Sequence, residues 1–238
     1  MHLSICKTKV MLTVFAAILA PINAAQATTL TYESSIDPTI TNFKKQITLP
    51  KFDSNLGELE RVFFELSGNV QGSVELENRD AQTAFVTGNL AAEISLKSED
   101  SFDSLLLVAL PSALVEQQLN SYDGTLDFDG DSGINLAGIS NTKKESAVFT
   151  TIADLTPFIG DGSLNLLVEA IGNSKATGAG NFVAGFETYA GANVMVSYTY
   201  VKKEEPKRRK VPESGVPATI FIGLAATMVL TKSKVRLV

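Results

Sequence analysis

The strongest constraint on the fold is a hydrophobic pattern with a period of two. In VMVSYTYV, residues 194–201, valine and tyrosine at the even positions alternate with Met, Ser, Thr and Val at the odd ones. In LERVFFEL, residues 59–66, Val62, Phe64 and Leu66 share one face. Because successive side chains of a strand point to opposite faces, both segments are predicted to be half-buried strands, with Tyr198 and Tyr200 in the core.

Seven further strands are predicted from short apolar or β-branched runs, at residues 46–49, 73–76, 92–96, 105–110, 124–128, 147–152 and 165–170. Gly, Asn, Asp and Ser separate them at intervals typical of an all-β sandwich or barrel. One helix is predicted at Pro111–Leu119, where proline suits the first turn. The expected fold is a single antiparallel β-sandwich, jelly-roll or immunoglobulin-like, over residues 28–201.

The first 27 residues have the three parts of a secretory signal peptide. Lys7 and Lys9 precede an apolar run at residues 10–20. A cleavage motif follows at residues 25–27, with the small residues Ala25 and Ala27. As a helix the run would rise only about 17 Å, against the roughly 30 Å of a bilayer's hydrocarbon core. We therefore expect signal peptidase to cut after Ala27 and the remaining chain to be exported.

This cut would remove the single cysteine, Cys6, and the single histidine, His2. The exported chain would then have no disulfide, no thiolate metal ligand, no cysteine nucleophile and no histidine base. Most familiar catalytic and transition-metal sites are thereby excluded.

Charge divides the exported part in two. Residues 28–201 hold 23 Asp and Glu against 9 Lys and Arg, a net charge of −14, whereas KKEEPKRRK at residues 202–210 holds six basic and two acidic groups. The second stretch is predicted to be a solvated basic linker, suited to an anionic membrane surface. The acidic domain argues against nucleic acid as a partner, because phosphate binding needs a positive surface.

Residues 211–238 form a tail with a motif, an apolar run and a basic end. The motif is Val211, Pro212, Glu213 and Ser214. The apolar run at residues 216–230 would make about 22 Å of helix, which is short for a transmembrane segment. A temporary sorting segment and a permanent membrane anchor both remain open. Lys232, Lys234 and Arg236 would stay on the cytoplasmic side.

Three segments, at residues 49–78, 122–133 and 162–200, resemble the choice-of-anchor E domain of exported bacterial proteins. In that family the domain is combined with different surface-sorting signals, and no biochemical activity is defined for it. The tail resembles a PEP-CTERM sorting signal, with Ser214 where that signal has a second proline. The resemblance implies an exosortase-like sorting enzyme as a partner, and an outer-surface or extracellular-matrix location.

Two sets of side chains are candidates for ligand binding. Asp127, Asp129 and Asp131 are spaced two apart, as in calcium loops, although Ser132 and Gly138 stand where an EF-hand needs glycine and glutamate. Calcium is the only cofactor that the sequence suggests, and acidic turn residues on a solvated loop are the alternative. Tyr122 and Tyr189 are the candidate sugar contacts, since the chain has no Trp and sugar sites use aromatic platforms.

Two functions from different classes fit these patterns. One is a noncatalytic surface or matrix protein that associates with exopolysaccharide. The other is an extracellular hydrolase such as a glycosidase, acting through carboxylates among Asp123, Asp127, Asp129 and Asp131. The hydrolase requires two of these groups to face each other across a cleft, roughly 5 to 10 Å apart.

Overall fold

A computed structural model describes residues 27–99 and 104–203 of the chain. The strands are β1 (Ala27–Ile40), β2 (Phe43–Pro50), β3 (Gly57–Asn78), β4 (Ala84–Ser98), β5 (Ser104–Ala109), β6 (Ser112–Leu119), β7 (Gly133–Phe149), β8 (Ser163–Gly172), β9 (Lys175–Gly178) and β10 (Phe182–Lys202). One helical turn, α1 (Ile152–Leu155), runs into a 3₁₀ turn, Thr156–Phe158. All pairs between these strands are antiparallel, so the predicted all-β antiparallel class is confirmed.

The strands form two sheets that share one core. The front sheet has the order β1-β10-β3-β7, and the back sheet has the order β2-β8-β4-β5, with β6 and β9 also paired to β4. Phe64 and Tyr198 of the front sheet lie in the same hydrophobic cluster as Leu96 and Leu166 of the back sheet. Apolar side chains on the inner faces of both sheets therefore leave water together, which is the main stabilising term of such a fold.

The period-two pattern identified the inner face correctly. Val62, Phe64 and Leu66 are fully buried, and Tyr198 has no exposed surface. The Tyr198 hydroxyl donates a 2.8 Å hydrogen bond to the Pro50 carbonyl oxygen. Burial raises the pKa of Tyr198 well above its usual range, so this hydroxyl stays protonated and satisfied inside the core.

The helix predicted at Pro111–Leu119 is wrong, because Ser112–Leu119 is strand β6. Its eight residues pair with Ala84–Ala91 of β4. A helix of nine residues has little stability of its own, so pairing with a buried neighbouring strand overrides local propensity. Alternating burial along β6, ending at the buried Leu119, shows that the segment had the strand period after all.

Two predicted strands also need correction. Residues 124–128 are a loop, in which Gly124 has φ +102° and Phe128 has φ +54°, values incompatible with an extended strand. The strand predicted at residues 147–152 ends at Phe149. Thr151 then caps α1, its side chain accepting a hydrogen bond from the Asp154 N–H.

The chain enters and leaves the described domain at one end of the front sheet. Ala27, at the start of β1, pairs with Val201 near the end of β10, and the Lys203 N–H donates to the Leu56 carbonyl oxygen. Within residues 27–99 and 104–203 there is no helix of the length and apolarity that a membrane crossing requires. Most of the predicted signal peptide, including Ala25, lies outside the described residues. So do linker residues 204–210 and the whole tail with Val211, Pro212, Glu213 and Ser214.

Candidate functional site

A groove of about 350 Å³ crosses the outer face of the front sheet. It is lined by Gln71, Gly72 and Ser73 of β3, by Ala137, Gly138 and Ser140 of β7, and by Glu187 and Tyr189 of β10. Thr188 and Ala190 are buried on either side of Tyr189, so the Tyr189 side chain points away from the core. The groove thus contains one of the two tyrosines predicted to contact sugar.

Strand register places the lining residues in two rows across the sheet. In one row Tyr189 is opposite Gln71, and Gln71 is opposite Ser140. In the next row Glu187 is opposite Ser73. Directly opposite side chains on neighbouring strands are about 5 Å apart. A ligand that lies across β10, β3 and β7 can therefore contact side chains of all three strands.

Two glycines, Gly72 and Gly138, lie in the lining of the groove. Gly138 is the extra residue of a bulge in β7, where the register with β3 shifts between Gly72 and Ser73, and it has φ +74°. A Cβ at Gly72 would overlap the backbone carbonyl oxygen of Glu187 on β10. Gly72 therefore lets β3 lie close to β10, and Gly138 adds no side chain to the groove at the bulge.

Tyr189 is held by its neighbour on the same strand. Its hydroxyl donates a 2.6 Å hydrogen bond to Oε1 of Glu187. This hydrogen bond, together with repulsion between the carboxylate and a phenolate, raises the pKa of Tyr189 above that of a free tyrosine. The ring is therefore oriented before any ligand arrives, and the hydroxyl remains a neutral donor.

Three other side chains of the groove have unused hydrogen-bonding capacity. Among the described residues, no protein group bonds to the side-chain amide of Gln71 or to the hydroxyls of Ser73 and Ser140. An amide offers two donors and an acceptor, and a hydroxyl offers one donor and two acceptor lone pairs. The groove thus combines an aromatic face with uncommitted neutral polar groups.

Tyr122 lies elsewhere. Its N–H donates to the Asp80 carbonyl oxygen, and the Arg79 guanidinium lies 6.0 Å from its ring centroid. Asn78, at the end of β3 next to this region, is seven residues beyond Gln71, or about 23 Å along the strand. The two tyrosines predicted as sugar contacts therefore do not belong to one site.

The acidic loop uses its carboxylates on its own backbone. Asp123 accepts a hydrogen bond from the Thr125 N–H at 2.8 Å, Asp127 from the Asp129 N–H at 3.1 Å, and Asp129 from the Gly130 N–H at 2.8 Å. Asp123 and Asp127 thus make the local turns expected of acidic loop residues. Among the described residues, no three His, Cys, Asp or Glu side chains are placed to hold a metal ion. Calcium at Asp127, Asp129 and Asp131 stays a prediction.

The sequence analysis missed Glu77, which anchors this loop. Glu77 is fully buried, its Oε1 accepts from the Ser132 hydroxyl at 2.6 Å, and its Oε2 accepts from the Phe128 N–H at 2.9 Å. Phe128 is the one non-glycine residue with positive φ in the described part of the chain. The carboxylate thus fixes the strained backbone of residues 127–133 against β3.

The carboxylates proposed for a hydrolase line none of the cavities described for this domain. Besides the groove, a cavity of about 170 Å³ is lined in part by Phe149, Asp154 and Phe158, and one of about 260 Å³ in part by Glu58 and Ile152. Each of the three contains a single carboxylate. Most glycosidases place two carboxyl groups across their cleft.

No protein-family model and no curated protein matches this chain. Among solved structures, this chain is similar to one in the structure of the infectious bursal disease virus Gt strain. The identity is 10% over 80% of this chain and 43% of the viral chain, and the TM-score is 0.18. This chain is also similar to the VP2 subviral particle of infectious bursal disease virus, with 11% identity over 80% of this chain and 42% of that chain, at a TM-score of 0.21. The chain spans less than half the length of these structures.

Proposed function

We propose that the protein is a noncatalytic polysaccharide-binding β-sandwich, exported by a bacterium and held at its outer surface or in its extracellular matrix. The observation that carries the proposal is the half-exposed Tyr189 ring in a groove with the free polar groups of Gln71, Ser73 and Ser140. Sugars present apolar C–H faces and a rim of hydroxyls. An oriented aromatic ring with nearby amide and hydroxyl groups complements both.

The sandwich is of the jelly-roll type in this proposal, rather than immunoglobulin-like. In chain order β1, β3, β7 and β10 belong to the front sheet, whereas β2, β4, β5, β6, β8 and β9 belong to the back sheet. The chain therefore crosses repeatedly between the sheets. This favours two interleaved Greek keys, an arrangement that occurs in lectin domains.

A binding role without catalysis is favoured over a carboxylate-dependent hydrolase. The groove holds one carboxylate, Glu187, and Oε1 of that carboxylate is occupied by the Tyr189 hydroxyl. Asp123 and Asp127 are occupied by backbone N–H groups of their own loop. Neither the groove nor the acidic loop places a general acid opposite a second carboxylate.

Export and sorting are proposed from the sequence signals alone. Signal peptidase removes residues 1–27, and an exosortase-like enzyme recognises the tail at Val211, Pro212, Glu213 and Ser214. Within the described domain, the groove is far from the end of β10, because Tyr189 is twelve residues from Val201 along the strand, or about 40 Å.

Co-sedimentation with the exopolysaccharide of the native host tests binding, and an assay for new reducing ends on the same samples tests hydrolysis. We expect the protein to sediment with the polymer and the number of reducing ends to stay constant. Release of reducing ends would favour the hydrolase. Failure to sediment with this polymer or with any other polysaccharide would contradict the proposed binding.

A further inference from the structure

We infer that the groove selects polysaccharides that carry no carboxylate or sulfate groups, and that Glu187 is the selecting residue. The inference rests on the proposed function, since it names the ligand class of the same groove. It concerns the charge of the ligand, because the aromatic ring and the neutral polar groups do not distinguish neutral from acidic sugars.

Glu187 faces the groove with one oxygen free. Oε1 accepts the Tyr189 hydroxyl at 2.6 Å, whereas no described protein group donates to Oε2. A free carboxylate oxygen accepts a hydrogen bond from a sugar hydroxyl or from an ammonium group. It repels a uronate or sulfate at the same distance.

Lys and Arg are absent from the described residues that line the groove. Lys144 extends from the outer face at the row of Ser67, four residues from Gln71 along β3, and its Nζ is 2.8 Å from Oε1 of Glu65. Lys45 donates to the Thr39 hydroxyl at 2.8 Å, but Thr39 is opposite the buried Ala190 and so lies on the face away from the groove.

The next charged group along the outer face adds to the negative field. Glu75 lies two residues beyond Ser73 on β3, and its Oε1 accepts from the Asn135 amide at 2.9 Å. With a net charge of −14 over residues 28–201, the surroundings oppose an acidic polymer. Local charges dominate this effect at physiological salt, because screening cuts off interactions beyond roughly 8 Å.

Matched pairs of neutral and acidic polymers isolate the effect of ligand charge on binding. The protein as the host exports it is titrated with hydroxyethyl cellulose, dextran and laminarin, and with the carboxymethyl derivative of each backbone, by affinity gel electrophoresis at about 0.15 M salt, so that distant charges are screened. On every backbone that binds, we expect the neutral polymer to bind at least about ten-fold more tightly than its carboxymethyl derivative, which corresponds to about 1.4 kcal/mol.

Glu187→Gln keeps the shape of the side chain and removes its charge. We expect it to reduce the neutral-to-acidic ratio to below about three-fold, whereas Glu75→Gln, outside the groove lining, leaves most of the ratio in place. A carboxymethyl polymer that binds as tightly as its neutral parent, with Tyr189→Ala still weakening binding at least about ten-fold, overturns the inference and leaves the proposed function standing. If neither these polymers nor the exopolysaccharide of the native host binds, the proposed function falls and the inference with it.

Discussion

The hydroxyl of Tyr189 donates a 2.6 Å hydrogen bond to the Glu187 carboxylate, and the two side chains are two residues apart on the same face of β10. This contact orders an outward-facing ring whose own strand neighbours, Thr188 and Ala190, are buried. An ordered ring loses less conformational entropy when a ligand binds, which favours a preformed binding surface.

Titration of Tyr189 should reveal this contact. The carboxylate stabilises the neutral phenol and repels the phenolate, so the pKa of Tyr189 is raised and its phenolate forms at higher pH than that of a free tyrosine. Glu187→Gln should move the titration back toward the ordinary value of 10.0. The measurement is the ultraviolet difference titration of each protein against its Tyr189→Phe counterpart. Identical titration curves for wild type and Glu187→Gln would contradict the contact between Tyr189 and Glu187.

Glu77→Ala should destabilise the domain by about 2 to 4 kcal/mol. The substitution leaves the buried Ser132 hydroxyl and the Phe128 N–H without their acceptor, and an unsatisfied buried polar group costs about 1 to 3 kcal/mol. Urea unfolding followed by circular dichroism measures the change. Glu75→Ala, on the same strand and only partly buried, is the matched control and should cost less than about 1 kcal/mol. Equal losses in the two variants would show that Glu77 does not anchor the loop.

Glu169 should make the stability of the domain sensitive to acid. Hydrogen bonds from Lys44 and then from Lys97, each 3.0 Å from the carboxylate, lower the pKa of Glu169 below 4.5. The stabilisation is therefore present above the pKa of the unfolded chain and is lost as pH falls through the lower folded pKa. The difference in thermal unfolding between wild type and Glu169→Gln should be largest near neutral pH, shrink as the pH falls below about 4.5, and vanish once the pH is below the folded pKa. A difference that persists at the acid limit would contradict this assignment.

Gly138→Ala should destabilise the bulge that shapes the groove. The φ of +74° at Gly138 is costly for a residue with a Cβ, by about 1 to 2 kcal/mol, although no other atom lies within 4 Å of the added methyl group. The melting temperature of this variant should therefore fall. Ala137→Ser, at the adjacent position on β7, serves as the control and should change stability little. An unchanged melting temperature for Gly138→Ala would mean that the strand can shift its register freely.

The inner face of the sandwich was predictable, whereas its polar edges were not. Val62, Phe64 and Leu66 carry a period-two apolar pattern, and the structure buries all three. β1 and most of β7 carry Thr, Ser, Lys and Glu, because strands at the edges of a sheet bury less surface, and no strand was predicted there beyond residues 147–149. β6 was predicted as a helix because Pro111 suits a first helical turn, whereas its pairing with β4 makes it a strand.

The candidate site was predictable only as residue types. Tyr189 was identified because aromatic residues suit sugar faces, but nothing local indicates that Gln71 and Ser140 lie beside it. Their proximity follows from pairing of β3 with both β7 and β10. Glu77 was missed because in the alternating segment VELEN it occupies a position of the polar face. Its burial depends on a loop that begins more than forty residues later.

Intact-mass analysis of the protein from its native host tests the sorting proposal. We expect a chain that starts at Thr28 and lacks the tail beyond the processing point near Ser214. Recovery from the cell membrane of a chain that still ends at Val238 would refute tail removal and leave a permanent anchor. A chain that still includes Ala25 would contradict cleavage by signal peptidase after Ala27.

The most direct test of the central claim is the dissociation constant for a bound neutral polysaccharide, measured for wild type, Tyr189→Ala and Tyr122→Ala. Tyr122 is the matched control, a half-buried tyrosine on the same domain that lies outside the groove. Loss of the stacking face should weaken binding at least about ten-fold in Tyr189→Ala, and Tyr122→Ala should bind as wild type does. Unchanged binding in Tyr189→Ala, or a loss confined to Tyr122→Ala, would contradict a binding site in this groove.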